Sequence, residues 1–238
     1  MVSTILSKIN YLDSSEVDGF LNSLVATKGA ISLGFLNQHG FNLMIQEENV
    51  YDNFLSLDYL LRDGIGIELA CKIKGLEAKA NLNGTDLIPK IVQRALSSNR
   101  SCKFFVYGTE EPWLTTGSEK LFEGNEVKVI DGFQPLDYYL EHYSDYHDEG
   151  ALNLVILAMG MPKQEKVAQF LKNVSKGPLL VICGGAIIDF QAGKTERAPE
   201  NWRKFNMEWL FRLIKEPKRM FKRYVIGIPS FFYYLLIK

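Results

Sequence analysis

An α/β fold, with a largely parallel sheet and helices on both faces, is predicted by three observations. Short apolar runs rich in branched residues recur, most clearly at 153–159 and 179–183, and such runs fit strands covered on both faces. Stretches with helical apolar spacing alternate with them at intervals of roughly 25–30 residues. Glycines and polar residues cluster just after the strand-like runs, where folds of this class hold their ligands.

In chain order, residues 5–30 open with a β-like start and continue into a helix over 18–28, with Phe20, Leu21, Leu24 and Val25 at helical spacing. Residues 31–36 form a strand ending at Asn37-Gln38-His39, ahead of a helical pattern over 47–61. His39 is a candidate base, against the plainer reading of a hydrogen-bonded loop residue. Next comes Asp63-Gly64-Ile65-Gly66, a carboxylate at the mouth of a tight turn, a pattern shared with ordinary Asp-Gly turns. A helix over 87–96 follows, with Thr85 or Asp86 as its cap.

Residues 101–108 are a strand stopping at Gly108, with helix signals over 112–122. A short strand at 127–130 precedes Asp131-Gly132, and 137–142 reads as helix. The strand at 153–159 ends in Gly160-Met161-Pro162-Lys163-Gln164-Glu165, from which a helix runs to Val174. The strand at 179–183 empties into Gly184-Gly185, whose missing Cβ atoms let backbone N–H groups approach a ligand; Asp189 and Gly193 lie beyond. A final helix starts at Ala198-Pro199-Glu200, and Trp202, Phe205, Trp209, Leu210 and Leu213 share one of its faces.

Charge divides the chain into an acidic α/β core, 1–193, and a basic, aromatic appendage, 194–238. The appendage holds eleven Lys/Arg against four Asp/Glu, and the core sixteen against twenty-four. A basic aromatic tail on an acidic body implies a phosphate-bearing ligand, an anionic membrane surface, or both. The apolar run at 225–237 is too short to span a bilayer and is broken by Gly227 and Pro229, which suits an interface. The N-terminus lacks the basic and apolar regions of a secretory signal. Cys71, Cys102 and Cys183 are widely spaced and odd in number, as expected of reduced core thiols in the cytosol.

Several chemistries lack their signatures. No G-x-G-x-x-G or Walker A sequence is present, which argues against a dinucleotide-dependent oxidoreductase or a P-loop enzyme. No H-E-x-x-H, Cys/His cluster or G-x-S-x-G occurs, nor a D-x-D pair to hold a metal against a diphosphate.

The combined pattern resembles one family. Asp63-Gly64-x-Gly66, Gly84-x-Asp86, Gly160-x-Pro162-Lys163-Gln164-Glu165, Gly184-Gly185-Ala186 with Asp189-Phe190-x-Ala192-Gly193, Arg197-Ala198-Pro199, Glu208-Trp209-x-x-Arg212-Leu213 and Glu216-Pro217-x-Arg219 through Arg223-Tyr224 look like the WecG/TagA/CpsF glycosyltransferases. The resemblance covers roughly residues 30–224. It implies a Rossmann-like core of the GT-E type and inverting sugar transfer from a UDP-sugar to a polyprenyl-diphosphate-linked saccharide at the inner membrane face. It also implies no metal or other cofactor, no nucleic-acid partner, and a tail that meets the membrane or a second subunit.

On this resemblance Asp63 is the general base that takes the acceptor's proton. Asn37, Gly66, Asp86, Gly108, Gln164, Gly184, Gly185 and Asp189 are expected around the donor. Arg212, Arg219 and Arg223 are expected to meet the diphosphate or membrane, with Lys163 and Arg197 as weaker candidates. Asn81 departs from an arginine common in the family, and Leu36 from a threonine, so the sugar does not carry over. The competing reading is a non-catalytic UDP-sugar-binding or assembly module of the same fold.

Overall fold

The computed structural model describes residues 1–237. Its six strands are β1 (Ala30–Leu36), β2 (Tyr59–Arg62), β3 (Cys102–Gly108), β4 (Val127–Ile130), β5 (Leu152–Ala158) and β6 (Leu179–Cys183). They form one all-parallel sheet in the order β2-β1-β6-β5-β3-β4. Parallel pairing requires a crossover after each strand and brings every strand's carboxyl end to one edge. The predicted ligand clusters therefore converge there.

Helices supply the crossovers. α1 (Val2–Ser7) and α2 (Val17–Val25) precede β1, and α3 (Gln38–Gln46) with α4 (Glu48–Leu55) leads to β2. α5 (Ile65–Ile73) and α6 (Gly84–Leu96) lead to β3, α7 (Trp113–Leu121) to β4, α8 (Leu136–Tyr146) to β5 and α9 (Lys163–Val174) to β6. Strand side chains alternate between two cores. Phe105, Tyr107, Val155, Leu157 and Val181 meet α1, α3, α4, α5, α8 and α9, whereas Phe104, Val106, Leu154, Ile156, Leu180 and Ile182 meet α2, α6 and α7. Each fully buried aliphatic side chain contributes about 1.5–3 kcal/mol of transfer free energy, so both faces are firmly seated.

Beyond β6 lie α10 (Ile187–Ala192), α11 (Glu200–Lys204), α12 (Glu208–Lys215), α13 (Pro217–Phe221), a π-helical turn (Lys222–Ile226) and α14 (Gly227–Ile237). α14 docks on α3: Phe231 packs edge-on against Phe41 at 5.0 Å, and the Asn42 Nδ2 donates to the Gly227 carbonyl at 2.7 Å. Phe231 and Leu235 thereby join the core of the α3 face. No helix among the described residues is long and apolar enough to cross a membrane.

Four local expectations are corrected. The β-like start is α1, because Val2, Ile5, Leu6 and Ile9 repeat at helical spacing and are all buried. The helical pattern over 47–61 stops at Leu55, and its end is the edge strand β2, which pairs with β1. The cap of α6 is neither Thr85 nor Asp86 but Asn83, whose side chain accepts from the Asp86 amide. The long aromatic helix after Pro199 is instead two short helices, because Asn206 turns left-handed (φ 57°) between them and leaves Phe205 75% exposed.

Candidate active site

Asp63 leaves β2 at the sheet's carboxyl edge, beside Asn37 at the end of β1. Its amide donates to the Leu36 carbonyl at 2.9 Å, extending the β1–β2 pairing by one bond. Asn37 caps α3, its Oδ1 accepting from the His39 and Gly40 amides, which leaves its Nδ2 to donate to the Asp63 Oδ2 at 3.3 Å. The capping role thus fixes which end of the amide faces the carboxylate.

The turn after Asp63 is built for close approach. Gly64 has φ 86°, a conformation that disfavours a Cβ, and its N–H donates to the Asn81 Oδ1 at 2.8 Å. Asn81 therefore ties the 74–83 segment to the Asp63 turn. A Cβ on Gly66 would come within 2.8 Å of the Gln38 Cβ, so this glycine lets the first turns of α3 and α5 pack side by side. Beneath them the buried Arg62 donates to the carbonyls of Gly64 and Lys79 and to Glu68. No motif in the sequence points to Arg62 in this role.

A cavity of about 800 Å³ opens above Asp63. Asn37, His39, Asp63, Gly66 and Asp86 contribute its core side, and Arg197, Trp209, Arg212, Arg223 and Tyr224 its tail side. Burial raises the Asp63 carboxyl above its ordinary value; the Asn37 bond and the positive charges of Arg223, Arg212 and Arg62 oppose that rise without cancelling it. Burial, with Arg223 and Lys222, pushes His39 down to about 4, so its imidazole is neutral at neutral pH. Asp86 is pulled both ways: burial alone would raise it, but Asn83 and Arg197 hold it below its ordinary value.

The guanidiniums are incompletely satisfied. The buried Nε atoms of Arg197, Arg212 and Arg223 have no hydrogen-bond partner. Arg212 stacks over the Phe190 ring at 4.8 Å, which links the tail to α10, and Arg223 lies over Tyr224. Buried cationic donors without acceptors are costly unless an anion completes them. Arg197 also pairs with Asp86 at 2.6 Å and Arg212 lies 3.9 Å from Glu208, whereas Arg219, paired with Glu216, lies outside the cavity, because the helix breaks at Glu216-Pro217 and turns it away from Arg212.

The remaining sequence-predicted residues lie along the same sheet edge but do not line this cavity. Gln164 is buried, its Oε1 accepting from the Gly185 amide at 3.0 Å and its Nε2 donating to Glu165 at 2.7 Å. Gly184 sits where a Cβ would meet Ile187 at 2.8 Å, and Gly185 has φ 59°. Gly108 packs on the Ala158 carbonyl, 2.2 Å from an added Cβ. Asp189 accepts from the Thr109 hydroxyl at 2.5 Å and faces Lys194 at 3.6 Å. Lys163 donates to the Gly132 and Gln134 carbonyls. A smaller groove of about 380 Å³ shares Asn81, Asn83 and Asp86 with the main cavity.

Comparison with known proteins identifies relatives of the whole chain. Two curated relatives are each called N-acetylglucosaminyldiphosphoundecaprenol N-acetyl-beta-D-mannosaminyltransferase. The one from Bacillus spizizenii is 28% identical, over 94% of this chain and 88% of its own length. The one from Bacillus subtilis is 23% identical, over 96% and 85%. The profile of the Glycosyl transferase WecG/TagA/CpsF family matches residues 3–238, and the chain belongs to that family of glycosyltransferases.

Proposed function

We propose that this glycosyltransferase moves a sugar from a UDP-sugar to a polyprenyl-diphosphate-linked saccharide, with inversion, in the synthesis of a bacterial cell-surface polymer. One observation carries the reading: a carboxylate with a raised pKa faces, across one cavity, Arg212 and Arg223, whose buried Nε atoms have no hydrogen-bond partner. The names of the relatives supply the acceptor class, a saccharide on a diphosphate-linked polyprenol.

The acceptor hydroxyl attacks the anomeric carbon from the side opposite the diphosphate. The new C–O bond forms as the bond to the β-phosphate oxygen breaks, and the electron pair leaves with UDP. The hydroxyl proton passes to Asp63. Burial strengthens Asp63 as a base, and Asn37 and the arginines favour its ionised form before the attack. Charge growing on the leaving diphosphate meets Arg212 and Arg223, which are worth more in a site shielded from water. The neutral His39 offers a hydrogen bond to a sugar hydroxyl without competing for the diphosphate. Gly184, Gly185 and Asp189, with Gln164 fixing the Gly185 amide, form the donor side of the same edge. The tail, 194–238, holds the enzyme at the inner membrane face.

The test is UDP release from a panel of UDP-sugars, with and without a polyprenyl-diphosphate-linked monosaccharide, in the wild type and Asp63→Asn. Acceptor-dependent release with one donor is expected. In the variant it should fall by about 10²–10⁴-fold, the usual contribution of a general base, while UDP affinity is kept. Retained turnover would remove Asp63 as the base. UDP binding without turnover of any donor would favour a non-catalytic binding module.

A further inference from the structure

The diphosphate of a lipid-linked acceptor is covalently joined to its polyprenyl chain. The acceptor's saccharide hydroxyl must reach Asp63 for the transfer, so the saccharide enters the cavity and the first isoprene units must cross the cavity's rim. That rim carries exposed apolar side chains from two separate elements. On the tail side these are Phe205 and Met207; on the core side, Leu69 of α5.

The core side continues outward. Ile65 and Leu69 line the cavity, and Ile73 follows four residues after Leu69, within the same helical face. α5 then ends at the left-handed Gly75, with the Leu76 amide returning to the Cys71 carbonyl at 2.8 Å, a closure that brings Leu76 back beside the last turn. Ile73 and Leu76 are 46% and 44% exposed, far more than a helix covering a core would leave them. Exposed Lys72 and Lys74 flank the strip. From Leu69 to Ile73 the strip extends about 6 Å at the helical rise per residue, and Leu76 adds to its far end.

We infer that the strip Leu69–Ile73–Leu76 on α5 is the track on which the acceptor's polyprenyl chain leaves the cavity. The inference rests on the transfer reaction proposed above. Its ligand class is a linear isoprenoid attached to a diphosphate. The strip commits to the substrate's own chain, not to bilayer acyl chains, because Leu69 is continuous with the cavity wall beside Asp63 and its neighbours.

The test compares two acceptors carrying the same saccharide diphosphate, one on a long polyprenyl chain and one on a single isoprene unit, both in detergent. The protein is the full chain, as wild type and as Ile73→Ser/Leu76→Ser. Both positions are half exposed, so the double variant should fold. The wild type should turn over both acceptors and prefer the long chain. The double variant should lose about tenfold in kcat/KM for the long chain, the effect of two partly covered aliphatic contacts, with the short acceptor unchanged.

Equal loss on both acceptors, or no loss on either, overturns the track. Loss of binding to anionic vesicles, with the acceptor preference intact, would reassign the strip to the bilayer. A change in sedimentation coefficient would reassign it to a second copy of the chain. Absence of wild-type turnover with both acceptors would instead remove the proposed reaction, and the track with it.

Discussion

Asp63 and Arg223 face the same cavity, yet different physics holds them in place. Asp63 is gripped by the sheet: its amide bonds to β1, its carboxylate to Asn37, and the turn that follows it to Asn81 and Arg62. Arg223 rides on a π-helical turn between two short helices, with a buried Nε that nothing in the protein satisfies. Between α10 and α14 the tail is held to the core by a few bridges, among them Lys194 to Glu110, Arg197 to Asp86 and Arg212 over Phe190. The core thus fixes a carboxylate at the cavity, while the tail brings buried guanidinium Nε atoms that have no partner. On the proposed function, the donor's diphosphate is then part of what ties the two together.

The tail itself is divided, because α14 behaves as core. Phe231 is 1% exposed and packs on Phe41, whereas Phe205 stands in solvent. Phe231→Ala should cost about 4 kcal/mol of stability, the usual range for emptying a buried aromatic site. Phe205→Ala should stay within about 0.5 kcal/mol, as exposed substitutions do. Urea unfolding of both variants checks this. A small effect at Phe231 would mean that α14 is an adornment and that the whole segment after Gly193 is one loosely attached unit.

A smaller effect falls on the charge that the tail supplies. On the proposed function, Arg223→Gln removes a cavity-facing donor and should lower kcat/KM about a hundredfold. It should also move the acid limb of the pH profile. Arg223 is one of the charges holding the Asp63 carboxyl down against its burial, so without it Asp63 ionises at higher pH and the limb shifts upward. Arg223→Lys keeps the charge and should leave the limb near its wild-type position. A rate loss with no shift in either variant would separate Arg223 from Asp63 and break the link across the cavity.

Five of the six strands were legible in the sequence: four as apolar runs of ordinary length, and β4, only four residues long with Lys128 inside it, as a short run set off by the Asp131-Gly132 turn. β2 was not, since Tyr59-Leu60-Leu61-Arg62 is four residues that continue the apolar rhythm of α4. Nor were α3, α5 and α10, whose starts carry Asn37, Gly64 and Ala186: the first reads as a ligand cluster and the other two as glycine turns. Asn37, Asp63, Gly66, Asp86, Arg212 and Arg223 belong to spaced motifs, and the fold brings them to one cavity. The supporting bonds were not legible. Arg62 and Asn81 act through backbone groups of a turn, and nothing in the pattern shows which carbonyl a buried guanidinium will find. The split between Arg212 and Arg219 turned on how sharply Pro217 breaks the helix, a tertiary outcome that spacing alone does not decide.

The last effect concerns the core's own edge, where rigidity comes from burial. Glu165 is fully buried at the start of α9; its Oε1 accepts from Gln164, whose other end holds the Gly185 amide, and its Oε2 has no partner. Burial pushes its carboxyl from an ordinary 4.5 up to about 7. Between those values the folded protein binds more protons than the unfolded chain, so this group's contribution to stability is full below pH 4.5 and declines as pH rises through 7. The full decline is on the order of 3.5 kcal/mol, at about 1.4 kcal/mol for each pH unit that separates the two values. Glu165→Gln keeps an oxygen for Gln164 but has no proton to lose, so the variant should lose less stability than the wild type between about pH 5 and pH 8. Chemical unfolding at the two pH values measures the difference of differences, in which the other titrating groups, Asp63 among them, cancel. If the two proteins decline in parallel, Glu165 is not held protonated by its surroundings, and the edge that positions Gly185 owes its order to the Gln164 bonds alone.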